Sequence, residues 1–560
     1  MEIRKIVIVG GVAGGASAAA RARRTDEQAE IIMLEKGPYI SFANCGLPYY
    51  VGGEIGDRSA LLLQTPESFK ARFNVDVRVG HEVTALDRAA KLIRVRNLQT
   101  GEEYTESYTA LVLSPGATPI RPRLPGIDLA NIYTLRTVPD AGAIKEYIEG
   151  EEARRAVVIG AGFIGLEMVE NLHRLGLAVT LVEKADQVLP PLDAEMAAFV
   201  SQTLSQMGVD VILSDGIAGF DGEGRATAVR LESGRVIQGD LFILGIGVKP
   251  DTRLAKAAGL ALGPGGGIAV NAHMQTSDPD IYAAGDAVEV INRVTGRPGM
   301  MPLAGPANKQ GRVAGANAAG DRLTFPGATG TAIVRVAGLV AATTGLSEKA
   351  ALRAGLRAFA SYSVSGDHAD YYPGAQPMVI KLVAEQETGR LVGAQAVGGN
   401  GVDKRVDVFA TAIAGGLTVD DLTNLDLAYA PPFGSAKDPA IVAGMVAQNI
   451  LRGQLRVLTP PEAAARLAAS GPALQVLDVR EEYEFFVGAL PGAVNIPLDE
   501  LRSRIDELDP ERQTVVYDQN GQKAYWAARI LMQSGFRSVA ALTGGFEVWS
   551  AYESMGGMSL

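Results

Sequence analysis

The 560-residue chain holds a single cysteine, Cys45, in the run Ser41-Phe42-Ala43-Asn44-Cys45-Gly46-Leu47-Pro48-Tyr49-Tyr50. A lone cysteine has an inert reading, that of a small hydrophobe. Here Gly46 and Pro48 shape a turn, and a helix N-terminus would lower the thiol pKa and favour the thiolate, the form that attacks sulfur. With no second cysteine an internal disulfide is excluded, so Cys45 is expected to cycle as a thiolate, a sulfenic acid or a mixed disulfide with a small external thiol. One cysteine also fits a reducing cytoplasm.

A cycling thiol needs an electron source, and two glycine turns offer sites for one. Strand-like Lys5 to Val9 runs into Gly10-Gly11-Val12-Ala13-Gly14-Gly15 and an Ala/Arg-rich helix, and a second apolar run, Ile31 to Leu34, ends in Glu35. That order is a βαβ unit, in which a pyrophosphate sits on the helix N-terminus and the acid takes the ribose hydroxyls. Val12 occupies the place of the middle glycine, which makes this first copy imperfect. The second copy is regular: Ala156 to Ile159, then Gly160-Ala161-Gly162-Phe163-Ile164-Gly165, a helix over Leu166 to Leu175, and Val179 to Glu183. Glu183 at the strand end favours NADH by accepting the 2′-hydroxyl, while Lys184 beside it leaves room for NADPH.

Composition bounds the rest. With 52 basic and 63 acidic residues the net charge is −11, which argues against nucleic-acid binding. No apolar run reaches the roughly 18 residues of a membrane span, and the N-terminal apolar stretch reads as a strand and not as a secretion signal. The length calls for three to four domains. No metal is expected.

The segment Thr276-Ser277-Asp278-Pro279-Asp280-Ile281-Tyr282-Ala283-Ala284-Gly285-Asp286 resembles the flavin-closing motif of pyridine-nucleotide disulfide oxidoreductases. The resemblance covers roughly residues 1–450. It implies an FAD-binding domain (1–150 and 273–325), an NAD(P)H-binding domain (151–272), both Rossmann-like, and an α+β dimerisation domain (326–450) that makes a homodimer. For FAD it implies Gly10, Val12, Ala13, Gly14, Gly15, Glu35, Lys36, Val83, Ser114, Gly116, Gly285, Asp286 and Ala304. For the nicotinamide cofactor it implies Gly160, Gly162, Phe163, Ile164, Gly165 and Glu183.

Two-cysteine members of that family carry a second cysteine five residues on, where this chain has Tyr50. The Cys45 run resembles instead the active-site run of coenzyme A-disulfide reductases and their persulfide or polysulfide reductase relatives. That resemblance implies that Cys45 is held as a mixed disulfide with coenzyme A. It implies CoA or substrate contacts at Ser17, Arg21, Arg24, Ser41, Asn44, Asn308 and Lys437. Tyr371 (or Tyr372) and Tyr429 would be hydrogen-bond donors to the departing thiolate at the partner subunit's cysteine. NADH oxidases and peroxidases, the alternative, use a histidine where this chain has Ala13. A third reading is a non-catalytic redox sensor.

After a linker at 451–458, Thr459-Pro460-Pro461-Glu462 opens a new helix. Leu477-Asp478-Val479-Arg480, Gly492 to Pro497 and Leu542-Thr543-Gly544-Gly545 resemble a rhodanese domain, implying an α/β unit over 459–560. Its sulfur-accepting cysteine is replaced by Asp518, so sulfur transfer is expected to be absent. The loop Gln519 to Lys523 retains the makings of a backbone anion nest.

Overall fold

The structure, a computed structural model, describes residues 3–150, 153–470 and 473–556. The expected domain boundary at 151 and the last residues of the 459–560 unit lie outside the described residues. The chain divides into two compact units, Met1–Lys184 with Asp215–Gly330, and Ala185–Ser214 with Thr331–Leu560.

The first unit is built on two parallel sheets. In one, strands Ile281–Ala283, Ala110–Leu113, Lys5–Val9, Glu30–Glu35 and Asp76–Val79 lie side by side in that order. The inner strands are buried on both faces, which is why they read as unbroken Val/Ile/Leu runs and not as an alternation. Val9 pairs level with Leu34 and with Leu113. Three strands therefore end together at the carboxyl edge, beside the point where strand order reverses and ligands bind in such sheets. Helix Ala13–Thr25 packs on helix Ala304–Ala318. The approach is close: a Cβ at Gly311 would fall 2.1 Å from the carbonyl oxygen of Gly14.

The second parallel sheet contains Ala178–Val182, Arg155–Ile159, Leu241–Leu244 and Ile132–Tyr133. Its helix runs Phe163–Arg174, beginning three residues before the sequence pattern suggests, because Gly162 is the N-cap and the helix starts as soon as the glycine turn ends.

The second unit holds an antiparallel sheet, ordered Ala332–Val336, Leu339–Gly345, Leu391–Gly398, Pro377–Glu385, Ala358–Gly366. Helices Val402–Gly415 and Pro439–Leu451 pack on it. Segment Ala185–Ser214 joins this unit, and a buried charge explains the attachment. Lys381, fully buried, places its ammonium 3.0 Å from Asp193, 2.7 Å from Glu348 and against Glu195. The three carboxylates hold its pKa above the ordinary lysine range despite burial. Tyr362 donates its hydroxyl to Glu195.

A second, parallel sheet in this unit contains Val457–Leu458, Val539–Leu542, Gln513–Tyr517, Leu474–Asp478 and Ala493–Asn495. Thr459 caps the helix Pro460–Ser470 by exchanging hydrogen bonds with Glu462, as the Thr-Pro-Pro-Glu run predicts. Thr543 accepts from the Tyr362 N–H at 3.0 Å and donates back to its carbonyl. This exchange ties the second sheet to strand Ala358–Gly366.

Candidate functional site

Cys45 lies in a single 3-10 turn, Asn44–Gly46, followed by the five-residue helix Leu47–Val51. The segment is pinned on both sides. The Ser41 N–H donates to the Gly11 carbonyl at 2.8 Å, and the Ala43 N–H donates to the Leu61 carbonyl at 2.8 Å. Ser41 adopts a left-handed backbone, φ 44°, which turns the chain from the first glycine loop into the cysteine run. The backbone leading into Cys45 is therefore tied to the first glycine loop at Ser41, an arrangement that adjacency in sequence alone does not reveal.

The thiol pKa is raised, against the lowered value expected from the sequence. Although Cys45 is exposed to solvent, protein around it partly desolvates the thiolate, the largest cause, and the charges of Glu167 and Asp286 push the same way. Arg136 opposes them. The expectation assumed a helix N-terminus beside an oxidised flavin, and a 3-10 turn leading into five residues supplies little helix dipole.

Two residues around the thiol, Arg136 and Glu167, were not singled out in the sequence. Arg136 donates to Asp286 at 2.8 Å, and its backbone carbonyl accepts from Asn44 at 3.5 Å. Glu167, on helix Phe163–Arg174, accepts from the Tyr49 hydroxyl at 3.2 Å. Burial, with the charge of Glu170, pushes the Glu167 carboxyl up to about 7, while the Tyr49 hydrogen bond acts in the opposite direction.

The glycine turns carry their acids as the βαβ pattern requires. Glu35 accepts from the Gly11 N–H at 2.7 Å and from the Gly37 N–H at 2.7 Å, and Glu183 accepts from the Ala161 N–H at 2.7 Å. At Gly160, φ is +102° and a Cβ would lie 2.5 Å from the Gly245 carbonyl oxygen. By contrast, nothing lies within 4 Å of where a Cβ at Gly162 would be. The backbone there is open to close approach at a helix N-terminus, the fit a pyrophosphate needs. In the first turn Val12 is the N-cap and Ala13 the first helical residue. Gly10, Gly14, Gly15, Ser114 and Gly285 gather at the same sheet edge: the Ser114 N–H donates to Val9, and its Oγ lies 2.5 Å from where a Cβ on Gly14 would be. Gly285 donates its N–H to Gln310 at 2.8 Å.

The remaining sites are more dispersed. Gly116 has φ 73° beside Arg136, Lys36 stands 3.9 Å from Asp251, and Val83 lies on strand His81–Asp87. Lys184, the residue that left room for a 2′-phosphate, is paired with Glu232 at 2.8 Å. Ser17 donates to Asn308 at 2.7 Å, and Asn308 donates to the Ala304 carbonyl at 3.0 Å. These contacts bring together two of the expected CoA contacts and one expected flavin contact. Arg21 reaches Asp321 at 3.5 Å, and Arg24 and Lys437 are exposed. In the second unit the hydroxyls of Tyr371 and Tyr429 meet at 2.9 Å, whereas the Tyr372 ring packs edge-on to His368.

At the rhodanese-like loop the anion nest exists, but the chain fills it itself. The Asp518 carboxylate accepts from the Gly521 N–H at 2.6 Å and the Lys523 N–H at 2.9 Å. Burial raises its pKa even so. Lys523 turns away to Glu481. A carboxylate carries no persulfide, and this one leaves the nest no room for another anion.

With this geometry in hand, comparison with known proteins places the chain. Residues 4–311 match the model of pyridine nucleotide-disulphide oxidoreductases, 331–441 their dimerisation domain, and 459–552 the rhodanese-like domain. The chain belongs to the pyridine nucleotide-disulphide oxidoreductase family. It is an FAD- and NAD(P)H-dependent oxidoreductase that assembles as a homodimer, with a rhodanese-like domain lacking the cysteine. It is 48% identical to the reduced CoADR-RHD of Bacillus anthracis (TM-score 0.95, 99% of each chain covered). It is 39% identical to a NAD-dependent persulfide reductase from A. fulgidus (TM-score 0.91, 97% of this chain and all of that one). A coenzyme A disulfide reductase of Staphylococcus haemolyticus is 35% identical over 80% of this chain and all of its own length. Among the described residues no helix is long and apolar enough to cross a membrane.

Proposed function

We propose that this protein reduces a small sulfur–sulfur substrate, such as CoA disulfide, CoA persulfide or polysulfide, through a mixed disulfide between Cys45 and CoA. The observation that carries this is the lone Cys45, with no second cysteine to pair with, four residues past Ser41, whose N–H is hydrogen-bonded to Gly11 of the first glycine loop. FAD, when bound at that loop, supplies the two-electron relay between NAD(P)H and sulfur.

The Cys45 thiolate attacks one sulfur of RS–SR, forming Cys45–S–SR and releasing RS⁻. Two electrons and a proton then cleave that bond, returning the Cys45 thiolate and RSH, so that NADH + RSSR + H⁺ yields NAD⁺ + 2 RSH. Arg136 opposes the carboxylates that raise the thiol pKa and so supports the thiolate. Ser17, Arg21, Arg24, Ser41, Asn44, Asn308 and Lys437 are the proposed contacts to CoA, the basic ones suited to its phosphates. The hydrogen-bonded Tyr371–Tyr429 pair is proposed to donate to the thiolate leaving at the partner subunit's Cys45. Glu183 selects NADH, and a reducing, cytoplasmic setting suits the single free thiol.

NADH oxidation with CoA disulfide, polysulfide or peroxide as acceptor under anaerobic conditions, and with oxygen in a separate aerobic assay, tests this reading. Turnover with a sulfur acceptor that vanishes in Cys45→Ser supports it. Equal turnover with oxygen alone, insensitive to Cys45→Ser, refutes it.

A further inference from the structure

The two tyrosine segments belong to different loops. Tyr371 sits in the 367–376 loop between strands Ala358–Gly366 and Pro377–Glu385, and Tyr429 precedes helix Pro439–Leu451. Two exposed rings on separate loops would not keep hydroxyls 2.9 Å apart unless something beneath them fixed the spacing.

That something converges on one carboxylate. Arg405, 1% exposed on helix Val402–Gly415, donates to Asp438 twice, Nε to Oδ1 at 3.1 Å and an Nη to Oδ2 at 2.8 Å. The same guanidinium donates to the Asp367 backbone carbonyl at 2.9 Å and to the Gly401 carbonyl at 3.3 Å. Asp367 closes the base of the Tyr371 loop: its N–H donates to the Gln376 carbonyl, and its carboxylate accepts from the Gln376 N–H, both at 2.9 Å. Asp438 ends the Tyr429 segment and caps the next helix through the Ala440 N–H at 3.0 Å. The neighbouring Lys404 donates to Asp438 at 3.3 Å and to the carbonyls of Ala428 and Phe433, both at 3.5 Å, which bracket Tyr429.

We infer that Lys404, Arg405 and Asp438 are positioning residues for the reaction, a clamp that sets the distance between the two tyrosine hydroxyls. Arg405 holds the carboxylate and the loop carbonyl in fixed directions at once because its guanidinium is a planar fork. The inference rests on the proposed role of the tyrosine pair and adds to it the cause of the pair's geometry.

The test is a double-mutant cycle on full-length enzyme carrying its flavin, with NADH:ferricyanide turnover reporting that the flavin and nicotinamide sites are intact. Arg405→Lys is expected to lower kcat for CoA disulfide about 10- to 100-fold, and Tyr371→Phe in that background to lower it no further. Lys404→Met, at a partly exposed position, is expected to give a smaller loss with the same lack of additivity. If Tyr371→Phe costs the same factor with and without Arg405→Lys or Lys404→Met, the clamp only supports the fold and the inference is overturned. If Tyr371→Phe and Tyr429→Phe leave kcat unchanged in otherwise native enzyme, the tyrosine assignment falls and takes the clamp's role with it.

Discussion

Replacing Glu167 by Gln removes a charge while keeping shape and an acceptor for the Tyr49 hydroxyl. The Glu167 carboxyl rises from 4.5 to about 7 on folding, with burial as the leading cause. That is roughly 2.5 pH units, or about 3 kcal/mol at 1.36 kcal/mol per pH unit. Partial solvent contact reduces it to about 2 kcal/mol. Because the folded form holds the proton more tightly, ionised Glu167 costs stability. The cost is absent below about pH 4.5, grows between pH 4.5 and 7, and is complete above pH 7. Glu167→Gln should match the wild type in Tm near pH 4.5 and exceed it by about 4 °C above pH 8, at roughly 2 °C per kcal/mol. The change should also lower the Cys45 pKa, since Glu167 helps to raise it. Cys45 is the one cysteine, so the pH midpoint of iodoacetamide labelling reads that pKa without ambiguity. A Tm gap that is constant with pH, together with an unmoved labelling midpoint, would refute the reasoning.

Three further outcomes follow from the same structure. Glu183→Ala, which frees the Ala161 N–H, should narrow the NADH-over-NADPH preference at least 10-fold in kcat/KM, measured with either cofactor under one acceptor. Asp518→Ala strips the acceptor from the Gly521 and Lys523 N–H groups. It should cost about 2 kcal/mol of stability, part of which low-millimolar sulfate recovers at concentrations that leave the wild-type Tm unmoved. Lys381→Met leaves Asp193, Glu195 and Glu348 facing one another in the interior. It should destabilise the second unit by about 3–5 kcal/mol, read by denaturant unfolding.

What was legible in the sequence was local. The glycine turns, their terminal acids, the cysteine run and the rhodanese-like strands each fit within a few dozen residues, where period and turn chemistry speak directly. What was hidden was contact across the chain. Arg136 meets Asp286 across 150 residues and Glu167 meets Tyr49 across 118. No spacing rule finds such pairs, although Glu167, two residues past the second glycine turn, was the easier of the two to suspect. The raised thiol pKa was not legible because burial and the charges of Glu167 and Asp286 set it, while the helix behind Cys45 is too short to act as a dipole. Helix Ala194–Gln206 gave no sign that it joins the second unit, because its attachment is the buried charge of Lys381, 186 residues beyond Glu195. The anion nest was legible in the Gln519 to Lys523 loop, but its occupant, Asp518, was not.

On the proposed reading, electrons leave through one sulfur that borrows its partner from outside the chain. The most direct measurement is the intact mass of protein incubated with CoA disulfide, before and after one equivalent of NADH without oxygen. One CoA per chain should be added, lost on NADH addition, and never acquired by Cys45→Ser. An adduct that survives NADH, or a Cys45→Ser protein that still turns over CoA disulfide, would contradict it.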